Sequence, residues 1–144
     1  MGTLTMTPSE REAFLAGLHI GVLAVERADG PPVVAPIWYR YSAGGAVEFN
    51  IDESSVKAAL LAAAGRATMC VQQEALPYAY VTVEGPVEMD PTTPEVRLDI
   101  ATRYLGSELA EGYMSSEGEI DAVLVRLRPE RWRTTDYAKL TMPT

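Results

Sequence analysis

The residues best suited to chemistry in this chain crowd into the run Ser54-Ser55-Val56-Lys57. Asp52 and Ser54 offer caps for a helix over residues 55–64, rich in alanine and leucine, which Gly65 can end. Both serines and the lysine then share its first turn. Unpaired amides and the helix dipole favour an anion at such a start, and the lysine adds a full charge beside two hydroxyl donors. A phosphate suits this corner. An ordinary serine cap beside a solvated lysine is the alternative that spacing alone leaves open.

A second candidate is Ala35-Pro36-Ile37-Trp38-Tyr39, where the proline removes a ladder bond and two adjacent aromatics point to opposite faces. An edge strand with Pro36 beside Trp38 can wall a slot for a planar ring, although packing of both aromatics in the core satisfies the same pattern. Tyr78, Tyr80, Thr82 and Glu84 share one side of another extended run; that face lines a site, a subunit contact or solvent. Conventional catalytic groups are scarce. His19 is the only histidine and Cys70 the only thiol, which excludes a nucleophile-base-acid triad and a clustered metal site. His19 is expected to cap a helix end, and Cys70 to be a buried, inert thiol. The glycine-rich nucleotide fingerprints are absent. Arg126, Arg128, Arg131 and Arg133 cluster near the C-terminus; the first two read as the wet face of a strand, with contact to an acidic ligand tail as the alternative.

The elements that must position these groups follow from punctuation and periodicity. Thr7-Pro8-Ser9-Glu10 is a capping-box pattern, opening a helix with Phe14, Leu15 and Leu18 on one face that stops by His19. Residues 20–25 and 33–41 read as a hairpin, with Asp29-Gly30 and the two prolines Pro31 and Pro32 in its turn. Pro36 inside the second run demands a sheet edge or a ligand-facing interruption. Gly44-Gly45 leads into a strand over residues 46–51, and strands over 66–72 and 78–89 follow the second helix, the latter bent at Gly85-Pro86. A helix from Pro94 to about Leu105, a loop over 106–118, a strand over 120–127 and a short strand or tail over 132–137 complete the order. So many adjacent hairpins argue against a doubly wound sheet and for a mainly β fold, an antiparallel barrel with peripheral helices, with residues 1–144 as one domain.

Composition agrees. Apolar residues make up 47% and charged residues 22% of 144 positions, ordinary values for one globular core. A net charge of -8 argues against nucleic acid as a partner, and any anionic ligand would need local help. The lack of a long apolar run, together with the single cysteine, leads us to expect a cytoplasmic protein away from membranes.

In order and spacing, residues 18–137 resemble the pyridoxamine 5'-phosphate oxidase-like split-barrel family, in particular its short bacterial members that use flavin mononucleotide (FMN) or the deazaflavin coenzyme F420. The resemblance is carried by Ile20-Gly21-Val22-Leu23-Ala24, Asp29-Gly30-Pro31-Pro32, Ala35-Pro36-Ile37-Trp38-Tyr39, Lys57 after its serines, and Val83-Glu84-Gly85-Pro86-Val87. It implies a homodimer with two cofactor sites at the subunit interface. Pro36, Ile37, Trp38 and Tyr39 would meet the ring, and Asn50, Ser54, Ser55 and Lys57 would lie near the phosphate. Tyr78 and Tyr80 are weaker candidates, and Trp132 would close the site from the partner subunit. Ser55, Ala59 and Leu60 stand where many relatives carry basic residues or asparagine, and the residues that handle pyridoxal phosphate are not evident. The activity implied is hydride transfer between bound F420 or FMN and a small organic substrate, with a slight lean to F420. The alternative is a non-catalytic protein that binds, stores or senses a flavin or another planar ligand.

Overall fold

The computed structural model describes residues 3–117 and 121–140. Helix α1 (Pro8–Ala16) opens on the expected capping box: Thr7 accepts from the Glu10 amide, and the Glu10 carboxylate accepts from the Thr7 amide at 2.7 Å. It stops before Gly17, and the His19 imidazole meets the Phe14 carbonyl at 2.9 Å, so the histidine is spent on the helix end as its position suggested.

Strands β1 (Gly21–Arg27) and β2 (Gly30–Ile37) form the first hairpin, pairing Val25 with Val33 and Val22 with Pro36. The hairpin differs from the sequence reading at both ends. Pro31 and Pro32 lie inside β2 rather than in its turn, beside a register shift between Val25 and Arg27. The strand also ends at Ile37, and beyond it only Arg40 bridges to Glu48. The first difference follows from the place of the strand. β2 is the outermost strand of a sheet ordered β2-β1-β4-β5-β6-β3, so its prolines meet no donor demand on the open side.

Strand β3 (Val47–Asp52) buries Val47, Phe49 and Ile51 and turns Glu48, Asn50 and Asp52 outward. Helix α2 (Val56–Ala64) follows, capped by Ser55 and ended by Gly65 at φ 70°, a left-handed conformation suited to glycine. Asp52 does not cap it: its carboxylate accepts the Ser54 amide and hydroxyl, both at 2.8 Å, in a local Asx turn.

Strand β4 (Arg66–Gln73) pairs along its length with the first part of β5 (Ala79–Pro91), up to Pro86, and β5 is the hinge of the barrel. Up to Glu84 it also carries β7 (Arg131–Asp136); from Val87 onward it carries β6 (Ala122–Leu127), which in turn pairs with β3. The change of partner falls at Gly85-Pro86, where the sequence reads a bend. A Cβ on Gly85 would overlap the Arg128 carbonyl oxygen, so the close passage requires glycine. The result is a mainly β split barrel in which Leu23, Val25, Val47, Phe49, Leu61, Met69, Val81, Val83 and Leu127 fill one core.

Helix α3 (Pro94–Leu105) runs as expected, but the stretch after it is not a loop: α4 (Ser107–Glu117) packs back on α3. Its only buried residue is Ala110, so it lacks the apolar stripe by which a helix announces itself. The expected strand start at Ile120 and the loop end at Gly118 lie outside the described residues. Cys70 is corrected as well. It alternates onto the outer face of β4 and is partly exposed, because the inward positions belong to Met69 and Val71.

Candidate functional site

Where β2 ends, the chain leaves the sheet edge and crosses beneath α3, opening a groove of about 690 Å³. Pro36, Ile37 and Trp38 form one wall, Asn50, Ile51 and Asp52 of β3 the floor, Ser55 and Lys57 of α2 one end, and Arg97, Tyr113 and Glu117 of α3 and α4 the roof. The volume falls in the range of roughly 300–1,000 Å³ typical of small-molecule sites.

The indole of Trp38 is held by stacking. It lies nearly parallel to the Tyr104 ring, 7° between planes and 5.0 Å between centroids, with Tyr113 tilted against it at 5.8 Å. Tyr104 is itself pinned, because its hydroxyl donates to the His19 carbonyl at 2.6 Å and accepts the Tyr39 amide at 3.1 Å. Burial raises its pKa, keeping it a neutral donor. The apolar wall is therefore preorganised by contacts behind it.

The other end is polar. Ser55 Oγ accepts the Ala58 amide at 3.1 Å, leaving the first amides of α2, those of Val56 and Lys57, to partners outside the helix. Among the described residues Lys57 joins no ion pair. Arg97, by contrast, is paired to Glu117 at 2.7 Å and is only 12% exposed. The Glu117 carboxylate nearby, with some burial, pushes the Tyr113 pKa up to about 12. The two Ser54 hydrogen bonds hold the Asp52 carboxyl below its usual pKa. On the floor, the Asn50 side-chain oxygen is buried with no hydrogen-bond partner. An orphaned buried acceptor is costly, and it points to a donor that arrives from elsewhere.

Of the residues singled out from sequence, the fold brings together Pro36, Ile37, Trp38, Asn50, Ser55 and Lys57 around this groove. The others lie elsewhere. Tyr39 is fully buried in the core, its hydroxyl donating to the Leu15 carbonyl at 2.7 Å. Ser54 is exposed and turned to Asp52. Tyr78 and Tyr80 are exposed along β5 and its approach, away from the groove lining. Within its own chain Trp132 packs against the core, under the Arg11 guanidinium at 4.6 Å and edge-on to Tyr41 at 6.4 Å. The sequence reasoning missed Ile20, Arg97, Tyr113 and Glu117. Arg97 lies in a helix that was read, but nothing local says which face meets β3; Tyr113 and Glu117 lie in the helix that was read as a loop.

The fold is thus a mainly antiparallel split barrel with a groove, polar at one end and walled by Trp38 at the other, beside its edge strand. This chain belongs to the pyridoxamine 5'-phosphate oxidase family, whose model matches residues 7–136. Among solved structures it is similar to the conserved hypothetical protein Rv2991 from Mycobacterium tuberculosis, with 23% identity and a TM-score of 0.77 over 100% of this chain and 93% of that one. It is similar to a protein described as an F420 reductase, with 26% identity and a TM-score of 0.68 over 85% of this chain and 94% of that one. It also resembles a FAD-binding protein from Mesorhizobium loti, with 21% identity and a TM-score of 0.66 over 90% and 93% of the two chains. No curated protein matches.

Proposed function

We propose that this chain binds F420 or FMN in the groove and serves an oxidoreductase that passes a hydride between that cofactor and a small organic molecule. The observation that carries the reading is the pairing of two unmet demands in one cavity. Asn50 Oδ1 needs a donor, and the start of α2 with Lys57 needs an anion. Both cofactors bear a phosphate and hydrogen-bond donors on a flat ring and its polyol chain, so the residues present fit them. When bound, either cofactor supplies the hydride-carrying ring, which explains why the chain needs so few acid-base groups of its own. The similarity to a protein described as an F420 reductase supports F420 slightly over FMN.

The residues divide the work. Lys57 and the first amides of α2 hold the phosphate, Asn50 Oδ1 accepts one donor, and the Trp38 wall orients the ring and excludes water. Tyr113 Oη, protonated at neutral pH, is a hydroxyl in the groove lining that can donate a hydrogen bond to bound substrate.

The reading includes a homodimer. The groove's rim residues Ile20 and Pro36 run into the outer face of the sheet, where register aligns Pro36, Val22, Cys70, Thr82 and Arg133 across five strands. Val22, Val34, Ile20 and Tyr80 are all exposed there, an apolar surface that a second copy would cover while completing the groove.

Titration with F420, FMN and riboflavin, read by quenching of ligand fluorescence, tests the proposal. Saturable quenching by F420 or FMN, with riboflavin weaker for want of its phosphate, supports it; no quenching by any of the three removes it. Turnover with a reduced cofactor under anaerobic conditions then separates an enzyme from a storage or sensing protein.

A further inference from the structure

The Arg97–Glu117 pair sits inside the groove rather than on an outer surface, and this makes it more than a link between α3 and α4. Both residues line the cavity with Lys57 and Asp52. Two cations and two carboxylates therefore face the same space, and the resting groove carries no net charge. That is a poor state for a site meant to receive a phosphate in a chain whose net charge is -8. Removing Glu117 from the cavity would change the balance to one net positive charge and expose the guanidinium, whose planar fork suits a phosphate.

The attachment of α4 suits such an exchange. The helix packs on α3, buries only Ala110 and leaves Leu109 exposed, so apart from the tilted contact of Tyr113 with Trp38 little apolar area resists its displacement. It starts straight after Gly106, whose φ of 81° and ψ of 162° is a conformation open to glycine, giving a pivot at its base. At its far end the Glu117 carboxylate holds Arg97 at 2.7 Å. The polar contact that holds the end of α4 over the groove is thus the same contact that occupies Arg97.

We infer that Glu117 is an internal stand-in for the ligand's phosphate: it holds Arg97 in the ligand-free groove, and the incoming phosphate takes Arg97 over and releases the end of α4. Arg97 is then the second cation of the anion site, beside Lys57, and Glu117 sets how strongly phosphate-bearing ligands are preferred. This rests on the reading of the groove as a cofactor site.

The test compares wild type, Glu117→Gln, Arg97→Gln and the double variant. Each is titrated with FMN and F420, and with riboflavin and the phosphate-free F420 ring portion as controls. Glu117→Gln should tighten binding of the phosphate-bearing cofactor roughly fivefold, the upper end of what a solvent-accessible ion pair is worth, and leave the phosphate-free controls unchanged. Arg97→Gln should weaken phosphate-bearing ligands alone, and the double variant should bind like Arg97→Gln. Amide hydrogen exchange over residues 107–117 of the wild type should quicken when the cofactor is bound. Unchanged or weaker binding by a folded Glu117→Gln protein would overturn the inference, as would protection of α4 by the cofactor; the exchange arm decides alone if the variant melts early. If wild type binds neither cofactor, the cofactor reading has failed and the inference falls with it; if wild type binds and the variants do not differ, only the inference falls.

Discussion

Replacing Asn50 by leucine should make the ligand-free protein more stable and the loaded protein harder to form. The side-chain oxygen is buried without a partner on a strand whose outward neighbours face the groove, and Asn50 pairs across to Leu124 of β6. An unmet buried acceptor costs about 1–3 kcal/mol. Because Asn50 as a whole is only partly buried, the lower end applies, about 1 kcal/mol. Leucine has the same branching at Cγ and no polar atom, and the open groove beside it can take its extra volume, so Asn50→Leu should recover that amount and raise Tm by roughly 2–4 °C in a chain of this size. The same change deletes the acceptor offered to the ligand, weakening F420 or FMN binding by roughly three- to tenfold, the equivalent of one ordinary hydrogen bond. Thermal melts without ligand and fluorescence titrations with it read the two effects separately. A variant that melts earlier and binds the cofactor as well as wild type would refute the reasoning, because Asn50 would then be a structural residue with its needs met inside the protein.

Lys57→Ala should leave Tm unchanged, since no carboxylate is left behind, yet weaken FMN or F420 about tenfold while sparing riboflavin; equal loss for all three ligands would argue for a packing role. Gly85→Ala should cost several kcal/mol, about 3 or more, because the new Cβ meets backbone on the β6–β7 connection rather than a side chain able to move; a Tm within a few degrees of wild type would contradict the close passage. The Glu10 carboxyl has its pKa lowered from 4.5 to about 2 by hydrogen bonds from Lys139 and from the Thr7 amide and hydroxyl. Its contribution is therefore present above pH 4.5 and lost as pH falls toward 2, so Glu10→Gln should flatten stability against pH in that window, measured by acid titration of helical circular dichroism. The proposed homodimer predicts a dimer mass for wild type in sedimentation velocity and a monomer mass for Val22→Asp without loss of fold, because Val22 stands 38% exposed in the middle of the outer sheet face; a monomeric wild type or an unchanged mass of the variant would remove that face as an interface.

What the sequence made legible was whatever local chemistry dictates. Pro36 marked an edge strand because proline cannot serve a ladder on both sides, and β2 is the edge. Gly85-Pro86 marked the bend because only glycine permits the close passage there, and β5 changes partners at that point. The alternation of Val47, Phe49 and Ile51 fixed which face of β3 is buried, and with it the outward direction of Asn50. What stayed hidden depends on contacts across the chain. α4 reads as a loop because Gly112 and Ser115-Ser116 weaken its propensity and its packing needs one alanine rather than a stripe. The support behind Trp38 comes from Tyr104, whose partners His19 and Tyr39 lie 85 and 65 positions away in sequence, beyond the reach of any local pattern. Tyr39 and Trp38 are neighbours in sequence, and strand alternation assigns them opposite faces without saying which one faces the groove.

The most direct test is a crystal structure of the protein soaked or grown with F420 or FMN. The account predicts the ring lying along Pro36, Ile37 and Trp38, a donor of the ligand on Asn50 Oδ1, and the phosphate at the start of α2 against Lys57. A cofactor bound elsewhere, with this groove left empty under Tyr113 and Glu117, would contradict it.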